Sequence, residues 1–86
     1  MTPDKAHQQA VAQGWLVLWT VYEKPTDYPN DFIARMHVVT SSGTSGPTTA
    51  HVKAKTLEQI RTKLPPGLTR LNRSPGDEPQ IVETWI

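Results

Sequence analysis

Residues 15–22 place Trp15, Val17, Trp19 and Val21 at alternate positions, with Leu16, Leu18, Thr20 and Tyr22 between them. Period-two spacing sends the two sets to opposite faces of an extended strand. Apolar side chains on both faces suit a strand paired on both sides, so this segment is expected at the centre of a sheet. That requirement governs how the rest of the chain is read, because the flanking segments must supply the neighbours.

Residues 24–31 hold two prolines and three Asp or Asn residues, which interrupt pairing and favour turns. Strand texture returns at 32–40, where Phe32, Ala34, Met36 and Val38 form a dry face and Ile33, Arg35, His37 and Val39 a mixed one. Residues 41–49 are small and polar and read as a flexible surface loop. Thr56-Leu57-Glu58-Gln59 matches a capping box and opens a helix with Leu57, Ile60 and Leu64 on one face, which Pro65-Pro66-Gly67 ends. Residues 68–73 read as a short strand, 74–79 as a turn and 80–86 as a last strand.

The fold class expected is therefore α+β: a mostly antiparallel sheet of three to four strands with one short helix packed on one face, in the order β-β-α-β-β. Residues 1–14, whose only large apolar side chain after Met1 is Val11, read as a flexible or weakly helical arm, with Thr2 and Pro3 suited to a helix start and Gly14 to its end. Residues 15–86 read as a single small domain.

The 86 residues include no cysteine, which excludes disulfides, iron–sulfur clusters, thiolate zinc and thiol catalysis. The longest apolar run is far shorter than the roughly 20 residues of a membrane helix, and it lacks the flanks of a signal peptide. No membrane partner is expected, and a cytoplasmic location follows as the default. No nucleotide, metal or cofactor motif can be defended, so no cofactor is expected.

Charge is unevenly distributed along the chain although the net value is only +1. Residues 51–74 carry six basic groups, Lys53, Lys55, Arg61, Lys63, Arg70 and Arg73, against one acid, Glu58. Lys53 and Lys55 precede a helix N-terminus, where a phosphate is favoured by free N–H groups. The plainer reading is that these side chains solvate an exposed surface. Arg35 and His37, two apart on one strand face, form a second candidate, suited to an anion or a partner's carboxylate. His7, His37 and His51 match no metal spacing. Asp27 and Asp31 read as turn-stabilising residues rather than as calcium ligands, because the EF-hand pattern is missing. Gly43-Thr44-Ser45-Gly46 reads as a slack hairpin connection rather than a nucleic-acid or phosphate clamp. Glu23, Glu58, Glu78 and Glu83 read as ordinary solvated carboxylates.

The segments Leu18-Trp19-Thr20-Val21-Tyr22, Asp27-Tyr28-Pro29, Phe32-Ile33-Ala34-Arg35, Leu64-Pro65-Pro66-Gly67-Leu68 and Ile81-Val82-Glu83-Thr84-Trp85-Ile86 resemble a family of small bacterial proteins with no assigned activity. The likeness spans residues 15–86 and implies no reaction, cofactor or binding residue.

These observations lead to a small non-enzymatic binding or accessory module that acts through contacts with another protein, or with a second copy of itself, by a sheet face or edge. The alternative is nucleic-acid or phosphate binding through the basic segment 53–73. A third reading, an enzyme using His37 with Arg35 holding an anionic substrate, ranks last because no base–nucleophile pair emerges from the spacing.

Overall fold

The computed structural model describes residues 3–72 and 79–86. Among these residues seven elements follow one another: α1 (Pro3–Ala12), β1 (Leu16–Glu23), β2 (Phe32–Val39), β3 (Ser45–Ala54), α2 (Leu57–Lys63), β4 (Arg70–Asn72) and β5 (Ile81–Trp85). The five strands form one antiparallel sheet in the order β3-β2-β1-β5-β4, so β1 is central, as its two-sided apolar pattern requires.

The α+β class and the antiparallel sheet agree with the sequence reading, whereas the expected three or four strands and single helix are corrected to five strands and two helices among the described residues. Part of the correction concerns 41–49, expected as a loop. Only the tight connection around Gly43 is a turn, closed by Gly43 N–H donating to the Thr40 carbonyl at 2.9 Å, and Gly46 already pairs with Val38. An edge strand is held by its backbone ladder on one side, so small polar residues suffice where β2 supplies the template. The other part concerns the N-terminal arm, which is a helix docked on the sheet. Its Ala6 and Ala10, one turn apart, are only 6% and 3% exposed. Small side chains let the helix backbone come close, so burial was achieved without the large residues whose lack made the segment look unanchored.

Gly14 ends α1 as expected. It adopts φ +79°, which glycine tolerates without steric cost. Gly14 N–H donates to the Val11 carbonyl and Trp15 N–H to the Ala10 carbonyl, the paired bonds of a Schellman stop. Thr56 caps α2 as expected, its Oγ1 accepting from Gln59 N–H at 3.2 Å, while the Gln59 side chain reaches one residue beyond the cap, its Oε1 accepting from Lys55 N–H at 3.3 Å.

Both helices pack on the same face of the sheet. Val17, Trp19 and Val21 of β1, Ala34, Met36 and Val38 of β2, and Val52 and Ala54 of β3 meet Ala6 and Ala10 of α1 and Ile60 and Leu64 of α2 in one core. Trp19, Val21 and Ile60 are completely buried. No described helix covers the opposite face, and the cleft formed by Tyr22, Arg35, His37 and Pro47 opens on that side. No helix among the described residues is long and apolar enough to cross a membrane.

Candidate functional site on the uncovered sheet face

Register fixes which side chains share the uncovered face. Opposite Thr20 stand Arg35 on one side and Thr84 on the other, and Thr84 in turn faces Leu71. Leu18 faces His37, which faces Pro47, and Leu16 faces Val39, which faces Ser45. Ile86 follows Trp85, whose neighbour across the ladder is core residue Trp19, so strand alternation turns Ile86 toward the open side. Leu16, Leu71 and Ile86 are 57%, 44% and 42% exposed, which makes three of the four exposed large hydrophobic residues among those described lie on this face.

One corner of the face is roofed by the loop 24–31. The loop closes at its base, where Lys24 N–H donates to the Asp31 carbonyl at 2.9 Å, and Pro25 is buried. Tyr28 reaches across to β3, with its ring centroid 6.0 Å from that of His51 and 5.5 Å from the Lys53 ammonium. Ile33 pairs with Tyr22 and Lys53 on the uncovered side yet is fully buried, which this roof explains. Asp31 pairs with Lys55 at 2.8 Å, and Asp27 accepts a hydrogen bond from the Arg35 guanidinium. The aspartates expected to shape the turn thus also tie it to the sheet.

Beside the roof lies a cleft of about 520 Å3, walled by Tyr22, Arg35, His37 and Pro47 from the three adjacent strands, by Asp27 from the loop and by Gln80. Arg35 and His37, the pair singled out from sequence, both line it. His37 Nε2 is 3.5 Å from the Tyr22 hydroxyl. Burial, aided by the nearby Arg35 charge, holds the His37 pKa below the ordinary histidine value, so the ring is neutral at pH 7. Asp27, which lines the cleft, is engaged by Arg35, and no carboxylate among the described residues orients His37 as a base.

The basic segment does not converge. Lys53 projects on the uncovered face against Tyr28, Lys55 is bound to Asp31, and the Lys63 ammonium donates to the Lys53 carbonyl at 2.9 Å. Arg61 lies on the other side of the sheet, bonded through two nitrogens to Glu83 at 2.7 and 3.1 Å. Arg70 is in β4, paired with Trp85, and Arg73 lies outside the described residues, as does most of the turn expected over 74–79.

Glu83 is a correction to the reading of four solvated glutamates. It is 3% exposed, paired with Val21 on the helix-covered face, and accepts from Trp85 Nε1 at 2.6 Å as well as from Arg61. Burial opposes its charge, but the hydrogen bonds from Arg61 and Trp85 outweigh this and bring its pKa below the usual carboxylate value. Neither Arg61 nor Glu83 lines the cleft. No group of three His, Cys, Asp or Glu side chains suited to a metal comes together among the described residues.

Sequence reasoning placed Arg35 and His37 but missed Tyr22, Asp27, Pro47 and Gln80 as their companions. The missed signal was the short connection between two paired strands, which returns Asp27 to the strand that carries Arg35. No protein-family model, curated protein or solved structure matches the chain.

Proposed function

We propose that the chain is a small non-enzymatic binding module that docks another protein on the uncovered face of its sheet. The observation that carries this reading is the placement of Leu16, Leu71 and Ile86 on the sheet face that no described helix covers, flanked by half-buried Leu18 and Val39. Scattered exposed hydrophobic side chains are ordinary on a protein surface, whereas a cluster rimmed by polar groups marks a contact surface. Thr84, Thr20, Arg35 and His37 provide the polar border, so the partner is an apolar patch with hydrogen-bonding groups around it.

Edge pairing receives less support. The outer strand β3 contains Pro47, which lacks a donor, and its ladder to β2 is irregular between Arg35 and His37. Nucleic-acid binding through 53–73 also receives less, since the basic side chains point to different faces and four of them, Lys53, Lys55, Arg61 and Lys63, have local partners.

The test is affinity capture with wild type and two variants. Ile86→Glu together with Leu16→Glu should lose the proteins that wild type retains, and Val11→Glu, an exposed change on α1, should keep them. Equal retention by both variants would refute docking on this face. Sedimentation of the purified chain separates a foreign partner from a second copy.

A further inference from the structure

We propose that the cleft between Arg35 and Asp27 binds a small zwitterion, a free α-amino acid with an apolar side chain. Such binding is separate from docking on the sheet face and does not depend on it. The cleft volume, about 520 Å3, lies within the range of small-molecule sites and exceeds what one amino acid occupies. Its two charges are opposite and in direct contact, so the site is neutral as a whole. A simple anion would have to compete with Asp27 for Arg35, and a simple cation with Arg35 for Asp27.

A ligand whose ammonium and carboxylate groups are attached to the same carbon avoids that competition. The guanidinium has five N–H donors in a fixed fork and the carboxylate four lone-pair sites, so each can accept a second partner while the first contact persists. Both side chains are reachable from solvent, with Arg35 31% and Asp27 54% exposed. The α-carboxylate then accepts from Arg35 while the α-ammonium donates to Asp27, a spacing that the separated termini of a longer peptide do not match.

The remaining walls set the side-chain preference. Pro25, Pro47 and the Tyr22 ring are apolar, and His37 is a neutral ring rather than a second cation. The Thr26 hydroxyl and the Gln80 amide offer uncharged hydrogen bonds at the margin. Lys53 and Lys55, which would otherwise make the corner attractive to phosphate, are engaged by Tyr28 and Asp31.

The experiment is an NMR titration of the full chain, following the Arg35 Nε–H and the backbone amides of Asp27 and His37. The probes are L-leucine, N-acetyl-L-leucine (anion only), L-leucinamide (cation only) and inorganic phosphate. Saturable shifts are expected with L-leucine, with affinity at least ten-fold above each of the others, and Arg35→Gln or Asp27→Asn should each lower it by ten-fold or more. N-acetyl-L-leucine, leucinamide or phosphate binding as well as leucine would overturn the proposal, as would no saturable shift from leucine at all. The ligand comparison is made on the wild-type chain, so the outcome stands even if a variant loosens the loop.

Discussion

Glu83 sits opposite Val21 in the covered layer, where an isolated charge would be costly, and it is tolerated because Arg61 crosses from α2 to meet it with two hydrogen bonds. Removing one partner of such a pair leaves the other stranded. Arg61→Ala is expected to cost about 3 kcal/mol, the low end for a buried pair because Arg61 itself keeps about a third of its surface in water, as read by urea denaturation. The sign of the pH dependence follows from the direction of each shift. Glu83 has a depressed folded-state pKa, so its contribution is present above its unfolded value and is lost as pH falls through the folded one. His37 also has a depressed folded-state pKa, so the unfolded chain takes up its proton first, and stability declines as pH drops below about 6.5. His37→Gln should flatten the stability profile just below about pH 6.5 and leave the more acidic decline in place. An unchanged profile there would contradict the burial assigned to His37.

At the scale of elements, the parts most legible in the sequence were those whose burial leaves a periodic mark. β1 was placed at the centre of the sheet because Leu18 and Trp19 point apolar groups to both sides, and α2 because Thr56 and Gln59 announce a cap. Thr56→Ala should lower stability by about 1 kcal/mol in the same denaturation assay. β3 left a weaker mark, since Ser45, Gly46 and Pro47 say little about faces and the strand is held by a ladder that β2 templates. Amide exchange checks this element: Val52 and Ala54, paired with Ala34 and Phe32, are expected to exchange at least ten-fold more slowly than Ser42 and Gly43 in the turn. α1 hid its docking in Ala6 and Ala10, which carry no hydrophobic bulk. A bond from the Trp19 indole N–H to His7 Nδ1, 3.1 Å long, then fastens the helix to a core residue that lies 12 positions away. Ala10→Leu would overfill that contact and should destabilise by about 1–3 kcal/mol with a shift in Trp19 fluorescence. The cleft was half legible for a related reason: Arg35 and His37 share a strand, while Asp27 and Gln80 join them only through tertiary return of the chain.

On the scale of the whole molecule, the two helices and five strands among the described residues produce a sheet with one dry side and one open side, and the open side holds both an apolar cluster and the polar cleft next to it. Loss of the cluster should therefore leave the fold intact, because Leu16, Leu71 and Ile86 contribute little to the core. The proposed role rests on that face being the surface a partner covers. The most direct measurement is a backbone amide shift map of the isotope-labelled chain on addition of a partner recovered by capture. The account predicts that the largest changes fall on Leu16, Leu18, Val39, Leu71 and Ile86, with α1 and α2 nearly silent. Changes concentrated on the helices, or along the outer edge of β3, would contradict it.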